Sequence, residues 1–196
     1  MGSAAMGHTA LDQARAQAML QRCAGKAGIL LLPDYGTLLG AARQGGMIPW
    51  DTDGDVSVFV SGDDFPARWQ HFESLLRLER SPRAKLYPKR SGKHPYDLAI
   101  LYGRATVDIF PWYRGDLGLW YRPRYNVIDE LHRKGLFVHD DWLEEFTTLP
   151  FHNVKLKVSA RYQDWLTHRY GDWRTPVDQK GSESTQRVFA MHQGAP

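Results

Sequence analysis

Apolar and polar residues alternate most sharply from residue 53 to residue 60, with Val56, Val58 and Val60 on one face of an extended segment and Asp53, Asp55, Ser57 and Phe59 on the other. The alternation predicts a strand with one face in the core and the other carrying acids. Before it, residues 9–26 are rich in Ala, Gln, Leu and Arg, with Thr9 as N-cap and Asp12 three residues on, which predicts a helix ended by Gly25 or Gly28. Residues 29–32 predict a short buried strand closed by Pro33. Residues 38–43 predict a helical turn after a Gly36-Thr37 loop, and residues 44–49 an irregular segment punctuated by Gly45, Gly46 and Pro49.

Downstream, Phe65, Trp69, Phe72 and Leu76 recur at steps of three and four after a possible cap at Asp63 or Asp64, the spacing of an amphipathic helix whose aromatic stripe faces the core. Residues 98–102 and 106–110, split by Gly103-Arg104-Ala105, predict a hairpin with Asp108 in its second strand. A Trp/Tyr/Arg-rich stretch covers residues 111–125. A strand over 154–158 and a helix over 159–170 capped by Gly171 complete the pattern. These elements predict one α+β domain over residues 9–176. Residues 1–8 read as a cloning scar or flexible N-terminus, and residues 177–196 as a polar, mobile tail.

Composition narrows the function. The longest purely apolar run, residues 29–32, is far short of the roughly 20 residues a membrane span needs. The N-terminus lacks the basic start and apolar stretch of a secretory signal, so the expected location is cytoplasmic, unless an anchor precedes this chain. Cys23 is the single cysteine, which excludes an intrachain disulfide and a thiolate zinc site and leaves it a packing role. The net charge of +3 comes from interspersed acids and bases without a dense basic block, so a small phosphorylated ligand suits it better than a nucleic acid. The histidines are scattered without a zinc spacing.

Chemistry concentrates in the acidic strand. Carboxylates at i and i+2 project the same way with Cα atoms roughly 6.5 to 7 Å apart, so Asp53 and Asp55 can converge on one ion. Asp108, from a neighbouring strand, can close one side of an octahedral site. All-oxygen ligation favours Mg²⁺ or Mn²⁺ over zinc. An EF-hand loop starting at Asp51 fails, because Val56 and Gly62 stand where Gly and Glu are required. A plain solvated turn remains the alternative for these acids taken alone. Gly36-Thr37 adds a place where backbone amides and a hydroxyl can approach a phosphate beside a helix N-terminus.

In that context, Tyr35-Gly36-Thr37-Leu38-Leu39-Gly40-Ala41-Ala42-Arg43, then Ile48-Pro49-Trp50-Asp51-Thr52-Asp53-Gly54-Asp55-Val56, closely resembles the LicD and fukutin-related family. Val107-Asp108-Ile109-Phe110-Pro111 and Tyr170-Gly171-Asp172-Trp173 agree with it, so the resemblance spans roughly residues 30–176. It implies a nucleotidyltransferase-like mixed β-sheet flanked by helices. It also implies Mg²⁺- or Mn²⁺-dependent transfer of phosphocholine, ribitol phosphate, glycerol phosphate or a similar group from a CDP-linked donor to a glycan or glycolipid acceptor. By position, Asp53, Asp55 and Asp108 match the catalytic, metal-binding acids, with Asp51 a further acid that contacts metal through water or orients the loop. Gly36 and Thr37 match the phosphate-binding pair, and Arg43 the family's arginine, assigned to the donor diphosphate because a guanidinium fork suits phosphate oxygens. The sequence departs at Gly54, where an apolar strand residue is usual, and at Gln44, where a His often follows the Arg. Gly54 would loosen the acidic strand.

Two alternatives stay open at this point: a nucleotidyltransferase moving an NMP from an NTP to a small acceptor, and a catalytically decayed module that binds nucleotide or glycan. Residues 85–97 read as a solvated loop or one contacting donor or acceptor. Trp112, Tyr113, Trp120, Tyr121 and Tyr125, interleaved with Arg114, Arg122 and Arg124, either stack on sugar or cytosine rings or pack inside.

Overall fold

The alternating segment becomes strand β2 (Asp53–Val60), and both of its faces are covered. The computed structural model describes residues 3–79, 84–88, 96, 98–121 and 137–175. Around β2 run α1 (Ser3–Lys26), β1 (Leu31–Pro33), α2 (Tyr35–Gln44), α3 (Phe65–Leu78), β3 (Ala84–Pro88), β4 (Leu98–Tyr102), β5 (Ala105–Arg114), β6 (Leu119–Tyr121), β7 (Phe137–His139), β8 (Phe146–Phe151), β9 (Val154–Ser159) and α4 (Tyr162–Tyr170). Five strands lie in the order β1-β2-β5-β4-β3, and β6 joins β5 to β7. β2 and β5 are parallel, and the other pairs are antiparallel. The β8–β9 hairpin forms a separate two-stranded sheet.

The mixed sheet is packed on both sides, which makes the molecule a single α+β domain. On one side Val56, Val58, Val107 and Ile109 meet Met19, Leu20 and Cys23 of α1 and Phe65, Trp69, Phe72 and Leu76 of α3. On the other side Phe59, Trp112 and Trp120 meet Leu38 and Leu39 of α2, Trp165 and Leu166 of α4, and Trp142. Beyond its start the acid-bearing face of β2 is core as well: Ser57 and Phe59, on the same face as the acids, are buried. Trp112 and Trp120 belong to this core, with Phe59 packed 6.5 Å and 5.2 Å from their ring centroids, so they are not an open stacking platform.

Several boundaries move for physical reasons. β1 includes Pro33, which a strand at the sheet edge tolerates because its missing N–H faces no partner. α2 begins at Tyr35, so Gly36 and Thr37 are its first turn and not a preceding loop; Asp34 caps it by accepting from the Tyr35 amide at 2.7 Å. Its far end closes in a Schellman turn, with Gly45 left-handed at φ 68° and amides of Gly45 and Gly46 on the carbonyls of Ala41 and Gly40. β5 runs on to Arg114 because Pro111 falls after the pairing with β4 has ended and before that with β6 starts. Within residues 85–97, residues 85–88 belong to the edge strand β3, and most of the rest lies outside the described residues, as do Arg122, Arg124 and Tyr125 and the whole of 177–196. Ser159 ends β9, and the last helix among the described residues starts at Tyr162. No helix among the described residues is long and apolar enough to cross a membrane.

Gly54 has a packing reason. It is buried under α1, where a Cβ would stand 2.5 Å from Gln13 Oε1 and 2.8 Å from Gln17 Nε2. Both glutamines are fully buried, and Gln13 Nε2 donates to the Thr106 carbonyl on β5 at 2.8 Å. The glycine thus lets α1 sit against both acidic strands rather than loosening one. Gly54→Val should force these glutamines away and cost about 1–3 kcal/mol, the usual range for overpacking. A urea denaturation midpoint equal to that of the unmodified chain would refute this account.

Candidate metal and phosphate site

The parallel pairing of β2 with β5 sets Asp55 directly opposite Asp108 and Asp53 opposite Thr106. Side chains opposite each other in a ladder share a face, so the two carboxylates of β2 and the one of β5 converge. Asp53, Asp55 and Asp108 each offer an oxygen such that these three atoms lie within 4.8 Å of one another. Three carboxylates this close repel unless a proton or a cation sits among them. Burial pushes the Asp55 carboxyl well above its ordinary range, and the charges of Asp53, Asp51, Asp34 and Asp108 push it further. An all-carboxylate cluster with a strained ionised state fits a hard divalent cation, and these residues could hold one.

Asp51 belongs to the same cluster. Burial, a hydrogen bond shared with Asp53 and the Asp53 charge raise it from 3.8 to about 6. Its Oδ2 stands where a side chain on Gly36 would be, with Asp55 Oδ2 3.8 Å from the same point. Gly36 is therefore the residue that lets the N-terminal turn of α2 close down on the acids. Thr37 fastens that turn: its Oγ1 accepts from the Asp55 amide at 2.8 Å, and the Asp34 amide donates to the Asp55 carbonyl at 3.1 Å. The Gly36-Thr37 pair and the acid pair, linked in sequence only by a motif, are in direct contact.

A carboxyl raised on folding contributes most to stability when protonated. Its contribution is complete below the unfolded value near 3.8, shrinks as pH rises, and is gone once pH passes about 6. The cation-free protein should thus melt at a lower temperature at about pH 7.5 than at about pH 5.5, and Mg²⁺ should raise Tm more at the higher pH. Asp51→Asn should flatten the pH slope in thermal melts recorded with a chelator; an unchanged slope would remove Asp51 from this coupling.

Arg43 braces the far end of α2. It lies in the last turn of α2, seven residues after Gly36, and its guanidinium donates to the carbonyls of Trp173 and, at 3.2 Å, Thr175. It ties α2 to the segment after α4.

The residues that sequence reasoning missed lie one layer below the acids. Asp34 Oδ2 accepts from Ser57 Oγ at 2.6 Å, and Ser57 Oγ accepts from Trp112 Nε1 at 2.7 Å. Arg169 of α4 donates to the same Asp34 oxygen at 3.3 Å, with both side chains sealed from solvent at 3% and 0% exposure. A polar residue before a predicted helix was the available signal for Asp34; a basic residue in a last helical turn gave none for Arg169.

Residues 28–160 match the family model described as LicD/FKTN/FKRP, nucleotidyltransferase domain. No curated protein matches the chain. Among solved structures, it is similar to ANT(2")-Ia in complex with adenylyl-2"-tobramycin at 14% identity and a TM-score of 0.40, over 57% of this chain and 55% of that one. It is also similar to the E. coli MS115-1 CdnC:HORMA-deltaN complex at 14% identity and a TM-score of 0.38, over 62% of this chain and 40% of that one. The chain thus spans about half the length of these structures or less.

Proposed function

The chain belongs to the LicD/FKTN/FKRP family, and from that premise we propose that it transfers a phosphorylated small group from a CDP-linked donor to a hydroxyl of a glycan or glycolipid. Phosphocholine, ribitol phosphate and glycerol phosphate are the head groups this reading includes. The observation that supports it best is the contact of the turn at Gly36-Thr37 with Asp51 and Asp55, whose carboxylates cluster with those of Asp53 and Asp108.

In this reading Asp53, Asp55 and Asp108 hold Mg²⁺ or Mn²⁺, with Asp51 beside them. When bound, the ion neutralises diphosphate charge and polarises the phosphorus under attack. The first turn of α2 receives a donor phosphate, because the amide dipoles of a helix N-terminus favour an anion. Arg43 is retained as a contact of the donor diphosphate on the pattern of its motif alone. The acceptor oxygen forms a bond to the phosphorus carrying the head group, the bond from that phosphorus to the bridging oxygen breaks, and CMP leaves. Asp108 takes the proton of the acceptor hydroxyl. Positioning and charge neutralisation carry most of the rate, as is general for phosphoryl transfer.

Released products test the proposal. Incubation with Mg²⁺, glycan acceptors and CDP-choline, CDP-ribitol or CDP-glycerol should release CMP from one donor. Release of pyrophosphate from an NTP, with no CMP from any CDP-linked donor, would overturn it in favour of NMP transfer.

A further inference from the structure

The buried Arg169 has a geometry that packing alone does not require. Its guanidinium lies 4.2 Å from the centroid of the Tyr35 ring and 5.6 Å from that of Trp112. Nη2 reaches Asp34, whereas Nε and Nη1 find no acceptor among the described residues. A cation buried with one carboxylate and two aromatic faces is costly to desolvate and is compensated only if those partners stay in place. The partners are informative. Asp34 and Tyr35 are the cap and first residue of α2, immediately before Gly36-Thr37. Tyr35 has a backbone φ of 42°, a strained value for a residue with a side chain, and Phe110 holds its ring edge-on at 5.3 Å. Through Asp34 the network continues to Ser57, two residues past Asp55 on β2, and to Trp112, four residues past Asp108 on β5.

We propose that Arg169 is a positioning residue of this site, whose buried guanidinium fixes Asp34 and Tyr35 and so sets where the Gly36-Thr37 turn stands relative to Asp55 and Asp108. The inference rests on the reading of that turn as the phosphate cradle. It makes α4, remote in sequence from the acids of the site, part of the machinery that receives the donor.

The distinguishing experiment separates metal from nucleotide. The carboxylates that take the cation stand on β2 and β5, whereas the turn that takes the phosphates depends on Arg169. In Arg169→Lys the charge stays opposite Asp34, but a compact ammonium loses the broad planar contact over the Tyr35 and Trp112 rings. Calorimetric titration with Mn²⁺ alone and with Mn²⁺ plus CDP should show nucleotide binding weakened about tenfold or more, the usual size of an outer-layer effect, with Mn²⁺ binding changed less than about threefold. Asp34→Asn/Arg169→Met, which leaves no buried charge unpaired, is the second variant should the lysine exchange not fold, and it should show the same split. Unchanged Mn²⁺–CDP binding in either folded variant, or equal losses of metal and nucleotide, would overturn the role of Arg169. Failure of the unmodified chain to bind Mn²⁺ and CDP at all would instead overturn the reading of the site, and this inference with it.

Discussion

Asp55→Asn should abolish turnover and, in the presence of a chelator, make the protein melt at a higher temperature. Both effects follow from one position. Asp55 is ladder partner to Asp108, its backbone is held on one side by Thr37 and on the other by the Asp34 amide, and four neighbouring carboxylates act against its ionised form. Two unit charges about 5 Å apart repel by roughly 3 kcal/mol at an effective dielectric near 20. Removing one charge from the cluster relieves part of that in the cation-free state, for a gain of about 1–2 kcal/mol or a few degrees in Tm. On the proposed mechanism the same exchange removes a ligand oxygen's charge from the place where the diphosphate is neutralised, which should lower CMP release at least about a thousandfold. Mg²⁺ should then stabilise the unmodified protein and hardly the variant. Retained turnover would sink the carboxylate mechanism. A lower melting temperature with chelator would sink the repulsion argument while leaving the mechanism standing.

What the sequence makes legible is the local part of this arrangement. Period-two alternation sets Asp53 and Asp55 on one face of β2, and the Gly103 turn sets Asp108 in the second strand of a hairpin; both hold. The parallel pairing that brings Asp108 to Asp55 is not legible, because it depends on a crossover through α3, β3 and β4 whose length and direction leave no periodic trace. The first turn of α2 was hidden for a different reason. Pro33-Asp34-Tyr35-Gly36 has the composition of a turn, and the helix starts there only because Asp34 caps it and Arg169 and Phe110 hold a strained Tyr35. β6 and β7 are three residues each, too short for any alternation to register. β8 escaped because its exposed positions include Phe146 and Thr147, so it shows no apolar face of its own.

The β8–β9 hairpin nonetheless bears on the site. At its tip His152, left-handed at φ 54°, accepts from the Met47 amide at 2.9 Å and donates its own amide to the Gly45 carbonyl at 2.6 Å. These bonds hold the segment that leads from α2 to Asp51. The acids are thus braced by elements from both ends of the chain: α1 under Gly54, the hairpin behind residues 45–47, and α4 beneath Asp34.

Of these braces, α4 should be the hardest to remove. Arg169→Met should lower the free energy of unfolding by about 3–5 kcal/mol, a large share of the 5–15 kcal/mol typical of a domain. The loss comes less from the missing attraction than from what stays behind. Asp34, with no exposed surface, would be left without its partner in a pocket built around a cation, while still accepting from the Tyr35 amide and Ser57. Neutralising both partners removes that penalty, so Asp34→Asn/Arg169→Met should recover at least about half of the loss although it carries one more substitution. Urea unfolding with an unchanged slope gives the comparison directly. If the double variant is as unstable as the sum of its single variants, the pair is not coupled and the buried ion pair is not what anchors α4 to the start of α2.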